Sequence, residues 1–209
     1  MPKVNPARIF SNFAIANLKF LGRPIDPNAI KGFSEAYADR KCPVYSNFQH
    51  ESFGLTNDKH LEWLYGFRHG DAYFYIPPFP FKGEINAYNF LAAADLWSNY
   101  KKLGIITPNS TFTVINANDR FCEFEPETDQ MFKDQCEKMG INVVYNTKLE
   151  AVDGKSRMMT LNENGQTSEK EFHHLYVIPP VKPCDNLVES GLATSVPKFT
   201  YFLGEQKPP

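Results

Sequence analysis

Short apolar segments alternate with longer amphipathic segments through the middle of the chain. In chain order they are "DAYFYI", "EINAYNFLAAADLWSNYKKLG", "TFTVINAN", "PETDQMFKDQCEKMG" and "INVVYN". The short segments have the composition of buried strands, and the long ones have helical spacing. Strands that alternate with helices are typical of a parallel sheet with right-handed crossovers. The pattern therefore predicts an α/β fold: a three-layer, Rossmann-like domain with a parallel central sheet.

The segments that follow this region predict a smaller β unit. "KLEAVDG" and "SRMMTLNENG" predict a β-hairpin or meander, and "EFHHLYVIPP" predicts a returning strand. Upstream, residues 12–22 predict a strand, and residues 23–33, with two prolines and a glycine, predict a loop.

Two helices have apolar stripes that can be assigned from the sequence. Residues 57–70 predict a helix that is capped by Asn57 and carries its stripe on Leu61, Leu64 and Tyr65. The longer helix, residues 84–104, carries its stripe on Ile85, Tyr88, Ala92, Leu96 and Tyr100.

These elements divide the chain into three parts. Residues 1–40 are predicted to form an N-terminal arm with a strand, residues 41–180 the Rossmann-like domain, and residues 181–209 an extended C-terminal arm. The first 25 residues carry lysines and arginines but no acid, which is compatible with a mitochondrial import signal or with a plain arm.

Composition excludes several classes of function. The 209 residues have a formal net charge of -2, without the basic face that a nucleic-acid-binding protein needs. The apolar runs are too short for a transmembrane helix. The four cysteines are widely spaced, which favours a reducing compartment over a disulfide framework or a zinc site. His173 and His174 are neighbours in a predicted strand, where they point to opposite faces and cannot share one metal ion.

The loop after the first strand of the domain, "PPFPFKGEIN", is the first candidate site, because ligands bind at the carboxyl ends of strands in open α/β sheets. A dinucleotide-binding turn requires a G-x-G-x-x-G pattern, and Gly83 is the only glycine here. Glu84 places a carboxylate at the start of the helix, where it opposes phosphate binding. Lys82 could meet an anion, although a solvated surface lysine is the simpler interpretation.

Two further loops offer candidate residues. Asp119, in "NANDRFCEFEPE", could meet a ribose hydroxyl, as acids do after the second strand of nucleotide folds, or could be a turn residue beside Asn118. Cys122 in the same loop has acidic neighbours, which oppose thiolate formation. Cys184, in "IPPVKPCDN", has no evident redox partner and is interpreted as structural.

Several segments together resemble sulfide:quinone oxidoreductases, flavoproteins of the FAD- and NAD-linked disulfide reductase superfamily. The resemblance runs from about Asn12 to Ala193 and is carried by "IDPNAIKGFSEAY", "CPVYSNF", "FRHGDAYFYIPPFPFKG", "GINVVYNTKLEAVDG", "GQTSEKEFHHLYVIPPVKP" and "DNLVESGLA". It covers only the middle portion of the family's pattern and implies a catalytically degenerate relative. The family carries a redox-active cysteine after the P-x-K that matches Pro80 to Lys82, where this chain has Gly83. No catalytic residue of the family can be carried onto this sequence.

The resemblance and the missing motifs lead to one functional expectation and two alternatives. The chain is expected to be a non-catalytic accessory or structural subunit of a mitochondrial inner-membrane, respiratory-type complex, on the matrix side or associated with the inner membrane. Its partners would be protein subunits, without nucleic acid, and membrane proximity would come only through them. The chain itself would hold no metal and no cofactor, with FAD or NAD(P) bound only where a partner completes the site. The alternatives are one fragment of a split sulfide:quinone oxidoreductase with a flavin-carrying partner chain, and a free-standing NAD(P)-binding module.

Overall fold

The computed structural model describes residues 26, 28–46, 62, 63, 65–79, 84–122 and 125–180, with the backbone alone for residues 84–89. Apart from Asp26, all of these residues belong to one compact unit, Pro27–Pro180. The predicted boundary between residues 40 and 41 falls inside this unit. The predicted strand at 12–22, the cap at Asn57, and the arm at 181–209 lie outside the described residues.

The described part of the unit contains three helices and eight strands with defined bounds, and residues 62, 63, 65 and 66 are also helical. The helices are α1 (Phe33–Ala38), α2 (Glu84–Lys102) and α3 (Pro126–Met139). The strands are β1 (Val44–Ser46), β2 (Asp71–Ile76), β3 (Thr111–Asn116), β4 (Asn142–Val144), β5 (Thr147–Asp153), β6 (Met158–Glu163), β7 (Gln166–Glu171) and β8 (His174–Val177).

Five strands form a parallel sheet in the order β1-β8-β2-β3-β4. The two central strands β2 and β3 are buried over nearly their full length, as expected for a parallel sheet that is covered on both faces. β5, β6 and β7 form a separate antiparallel sheet. The predicted Rossmann-like α/β class, with a parallel central sheet and a β-meander, is confirmed.

Helices α2 and α3 contribute to the apolar core on one face of the parallel sheet. α2 buries Phe90, Ala93, Ala94 and Trp97, which are spaced as one helical face, whereas Ala92 is exposed. The predicted stripe was therefore wrong at Ala92, whereas its member Tyr100 packs against this core. The side chains of Ile85 and Tyr88 lie outside the described residues. α3 begins at Pro126 and ends at Met139, and the following Gly140 has a φ of 69°, which fits the left-handed position that closes a helix.

The other face of the parallel sheet is covered by the meander and α1. Phe33 and Tyr37 of α1 pack in the same core as Leu149 of β5 and Met159 of β6. Lys31 N–H donates to Glu150 O at 2.9 Å, and Val152 N–H donates to Lys31 O at 2.8 Å, so the start of α1 is hydrogen-bonded to β5. The three layers are thus helices, parallel sheet, and meander with α1.

Two further differences from the sequence predictions concern the helix predicted at residues 57–70 and strand β7. Tyr65 was predicted to lie in the buried apolar stripe of this helix, but it is exposed, and Trp63 is buried instead. β7 was not predicted, because all six of its side chains are exposed and its sequence has no apolar alternation.

Candidate functional site

The carboxyl edge of the parallel sheet brings together the three loops that were selected from the sequence. They start at Pro77 after β2, at Ala117 after β3, and at Ile178 after β8. Ala117 N–H donates to Ile76 O at 3.0 Å, and Ile178 N–H donates to Tyr75 O at 3.1 Å. The loops therefore leave the sheet side by side, at the edge where α/β folds bind ligands.

Two asparagines fasten the loops after β2 and β3 to each other. Asn118 Oδ1 accepts the N–H of Phe79 at 2.9 Å, and Asn118 Nδ2 donates to Pro77 O at 2.9 Å. Asn118 Nδ2 and N–H also donate to Asn116 Oδ1, each at 3.0 Å. Asn116 is fully buried, and its Nδ2 donates to Arg120 O at 3.0 Å. The polar groups of this pair are engaged by the protein's own backbone and by each other.

The described start of the turn after β2, residues 77–79, offers few backbone donors to a phosphate. Pro77 and Pro78 have no N–H, and the N–H of Phe79 is taken by Asn118. The Phe79 side chain is half-buried and packs against the helix-side core. Dinucleotide-binding turns instead use glycines so that free N–H groups can approach the pyrophosphate. These three residues therefore lack the arrangement that such binding requires.

Asp119 lies in the loop after β3 and is paired with its neighbour. The Arg120 guanidinium donates from Nε to Asp119 Oδ1 at 2.8 Å and from Nη2 to Oδ2 at 2.7 Å. Hydrogen bonding from Arg120 lowers the pKa of Asp119, and both side chains are exposed. A ribose would have to compete with this bidentate pair for the carboxylate. Lys82 and Gly83, the other two candidates, lie outside the described residues.

A carboxylate that the sequence analysis missed holds the far end of this loop. Asp129 is buried in the first turn of α3, where Oδ1 accepts the N–H of Phe121 at 2.7 Å and Oδ2 pairs with Lys133 Nζ at 2.7 Å. Burial opposes its charge, but the hydrogen bonds from Lys133 and from Phe121 outweigh that effect, and the pKa of Asp129 lies below its ordinary value. The i,i+4 Asp–Lys spacing was the available sequence signal.

The described cysteines are three separate thiols. Cys42 is buried, and its Sγ donates to Gly154 O at 3.5 Å. Burial raises the pKa of Cys136 to about 11, so it is an inert thiol at neutral pH. Cys122 is half-buried. Cys184 lies outside the described residues.

His173 and His174 have different neighbours. The His174 ring stacks on Tyr45 with centroids 5.9 Å apart, and its Nδ1 lies 3.3 Å from Tyr45 Oη. Burial, with smaller contributions from nearby cationic groups, lowers the pKa of His174 to about 4. His173 Nδ1 accepts the N–H of Asp71 at 3.3 Å. Within the described ranges, no cluster of His, Cys, Asp and Glu could hold a metal ion, and no helix has the length and apolar character to cross a membrane.

A groove of about 610 Å³ lies between α1 and the meander, remote in sequence from the loops of the carboxyl edge. Its walls mix cations and anions, including Lys31, Glu35, Asp153, Lys155 and Glu169. The mixture of signs does not select one class of ligand.

A comparison with protein families finds a match over part of the chain. Residues 92–165, which run from within α2 to the turn after β6, match the family described as pyridine nucleotide-disulphide oxidoreductase. The chain is therefore a relative of the FAD- and NAD-linked disulfide oxidoreductases, and the resemblance found in its sequence is confirmed at this level.

Two solved structures show the likeness in three dimensions. A chain in the cryo-EM structure of the mitochondrial ATP synthase of Tetrahymena thermophila is 34% identical, with a TM-score of 0.75, and the match covers 81% of this chain and 41% of that chain. The sulfide:quinone oxidoreductase of the bacterium Aquifex aeolicus is 18% identical, with a TM-score of 0.57, covering 81% of this chain and 37% of that chain. The second match shows a shared fold.

The chain thus spans less than half of the length of either protein. No curated protein sequence matches it.

Proposed function

We propose that the chain is a non-catalytic accessory subunit, derived from a sulfide:quinone oxidoreductase-like flavoprotein, in a mitochondrial inner-membrane assembly of the ATP synthase kind. Its role is structural: the α/β domain presents surfaces to other subunits. The domain carries no redox cofactor of its own, and it resides on the matrix side of the inner membrane or in association with it.

The turn after β2 carries this proposal. Of its first three residues, two are prolines and the third gives its N–H to Asn118 at 2.9 Å. A pyrophosphate bound there would have to displace a protein hydrogen bond and would find no donor at Pro77 or Pro78. The sequence places Gly83 where related oxidoreductases have a redox-active cysteine, which removes the sulfur chemistry as well.

Similarity to a chain of a mitochondrial ATP synthase supports the location. That likeness is at 34% identity and a TM-score of 0.75, and it covers most of this chain. A subunit of such an assembly needs a stable scaffold and defined surfaces, and neither requires the nucleotide chemistry of the ancestral domain.

The first test separates the accessory subunit from a fragment of an enzyme. The tagged chain is isolated from mitochondria in mild detergent, separated by native electrophoresis, and its companions are identified by mass spectrometry. The proposal expects migration with a large membrane assembly, no flavin absorbance that follows the chain, and no sulfide-dependent quinone reduction. A constant companion that carries G-x-G-x-x-G and redox cysteines, with such activity in the pair, would overturn it.

A second test addresses nucleotide binding directly. The purified chain is titrated with NADH, NADPH and FAD while its thermal unfolding is followed, and a sulfide:quinone oxidoreductase serves as the positive control. A ligand that binds the folded state must raise the midpoint of thermal unfolding. Since the proposal gives this chain no nucleotide site, we expect no shift of its midpoint. A saturable shift with any of the three would refute the absence of a cofactor site.

A further inference from the structure

The amino-terminal edge of the parallel sheet, opposite the candidate site, carries a second surface feature. The segments that lead into β2 and β3, residues 65–70 and 101–110, lie against each other at this edge. Thr107 N–H donates to Arg68 O at 3.0 Å, and Thr111 N–H donates to Gly70 O at 3.3 Å.

These two segments hold three of the four large apolar side chains that are exposed in the described part of the chain. Leu103 is 72% exposed, Tyr65 52% and Ile105 42%. The fourth, Met131, belongs to α3. We call Tyr65, Arg68, Lys102, Leu103 and Ile105 the basic apolar patch. Single exposed apolar residues are common, but such a concentration at one edge is typical of a contact surface.

The local backbone fixes Leu103 and Ile105 in these exposed positions. Leu103 N–H donates to Asn99 O at 3.0 Å, and Ile105 N–H donates to Tyr100 O at 2.9 Å. The next residue, Ile106, is 1% exposed and anchors the turn in the core beneath it. The turn cannot bury Leu103 and Ile105 without withdrawing Ile106 from the core.

The charges of the two segments have one sign. Residues 65–70 and 101–110 contain Arg68, His69, Lys101 and Lys102 but no carboxylate, although the whole chain has a net charge of -2. The acid that precedes them, Glu62, is exposed three residues before Tyr65. The nearest acid that follows, Asp71, accepts a hydrogen bond from Thr111 Oγ1 at 2.6 Å. Lys101 Nζ donates to Ser110 O at 2.8 Å, and Arg68 Nη1 donates to Phe67 O at 2.8 Å and to Tyr65 O. Both cations are thus engaged by backbone carbonyls, whereas Lys102 is exposed beside Leu103.

This combination fits an anionic lipid surface better than a protein surface. Protein–protein interfaces are depleted in lysine, whereas lysine beside exposed aliphatic side chains suits a bilayer, where the ammonium meets phosphate headgroups and the apolar groups enter the acyl boundary. Tyrosine is also enriched at that boundary. We propose that the basic apolar patch docks the domain onto an anionic membrane surface. This contact is direct, in contrast to the expectation from the sequence that membrane proximity comes only through partner subunits, and it does not depend on the proposed assembly.

The test uses the full chain and sedimentation with lipid vesicles. Vesicles of phosphatidylcholine alone are compared with vesicles that also contain phosphatidylglycerol. We expect binding to the anionic vesicles only, with Leu103→Asp lowering the partition coefficient about tenfold through loss of apolar insertion. Lys102→Glu should lower it by about 25-fold, since each cation near the surface contributes roughly a fivefold gain and the new carboxylate is repelled by a similar amount. Circular dichroism confirms that the variants are folded.

Matched controls test whether the effect belongs to this surface. Met131→Asp introduces the same charge at another exposed apolar residue, and Lys138→Glu reverses an exposed lysine in the last turn of α3. Both controls should bind as the unaltered chain does. Equal losses in the controls would show a general charge effect and overturn the proposal.

A direct readout completes the experiment. The Leu103→Trp variant should show a blue-shifted emission on anionic vesicles and quenching by brominated acyl chains. Absence of vesicle binding, or binding without quenching, would overturn the proposal. If Leu103→Asp releases the chain from its native assembly while vesicles do not bind it, the patch is a protein interface and the lipid proposal is wrong. Because vesicle binding is measured on the isolated chain, its failure leaves the proposed accessory function standing.

Discussion

Replacing Asn118 tests most directly whether its hydrogen bonds hold the loops after β2 and β3 together. Its side chain makes three hydrogen bonds, to Phe79 N–H, to Pro77 O and to Asn116 Oδ1, at 2.9, 2.9 and 3.0 Å. Each such bond contributes a net ~0.5–1.5 kcal/mol. Because the side chain is only half-buried, water can replace part of the loss. Asn118→Ala should therefore lower the free energy of unfolding by about 2–3 kcal/mol.

The measurement is urea unfolding followed by circular dichroism, with hydrogen exchange of the Phe79 amide as a local readout. A loss of this size moves the thermal midpoint down by about 4–10 °C for a domain of this length. The control is Asn99→Ala, which removes an exposed 3.3 Å hydrogen bond to Asp95 on α2 and should change stability by less than about 0.5 kcal/mol. Equal stability of the two variants, with unchanged exchange at Phe79, would refute the conclusion that Asn118 fastens the loops. Asn118→Ala should still not bind NADH, because Pro77 supplies no donor.

Three further predictions follow from other parts of the unit. Since the pKa of His174 is about 4 when folded and 6.5 when unfolded, the unfolded chain binds the extra proton between these values. Stability should therefore fall by up to about 3 kcal/mol as pH drops through that window, and His174→Gln should flatten the decline in urea midpoints. Gly32 and Gly165 both have positive φ, 74° and 90°. A Cβ added to Gly32 would lie 2.3 Å from a carbonyl oxygen of β5, whereas a Cβ added to Gly165 would have no atom within 4 Å. Gly165→Ala should cost about 1 kcal/mol of unfolding free energy and Gly32→Ala about 2 kcal/mol more, and equal urea midpoints would contradict the packing. Iodoacetamide should label Cys122 before Cys136 in the native protein, because burial raises the pKa of Cys136 to about 11. Peptide mass spectrometry measures the order of labelling, and labelling of Cys136 first would contradict the prediction.

The sequence predicted the parallel sheet well because its strands are buried on both faces. β2 was predicted at Asp71–Ile76, the bounds that the structure has, since nearly every residue in it is apolar or aromatic. The prediction of which face of α2 is buried was wrong at Ala92, because the apolar pattern of this helix is ambiguous. The helix is apolar on several sides, so its periodicity does not select between a stripe through Ala92 and the one through Phe90 and Trp97.

In the meander, the residues of a turn indicate a strand that the apolar pattern does not. β7 is exposed along its whole length, so hydrophobic alternation could not reveal it. The Asn164–Gly165 dipeptide marks the turn, with φ values of 51° and 90°, and such a pair is the strongest short-range hairpin signal. The contacts of the candidate site could not be derived from sequence in the same way. Asn118 was interpreted as a turn residue, and its bonds to Pro77 and Phe79 cross about 40 residues, which only the register of β2 and β3 brings together.

A nucleotide-binding turn and the turn found here meet the same physical requirement in different ways. Glycines after a strand leave N–H groups unpaired and give the unfolded chain more conformational entropy to lose, and a bound pyrophosphate repays both costs. Prolines at 77 and 78 remove two donors and restrict the unfolded chain, and Asn118 satisfies the third donor from within the protein. A turn of this second kind is stable without a ligand, which the proposed structural subunit would require. Nucleotide binding at residues 77–79 would accordingly take more than one glycine, because the prolines, the Asn118 bonds and the packed Phe79 side chain each oppose it.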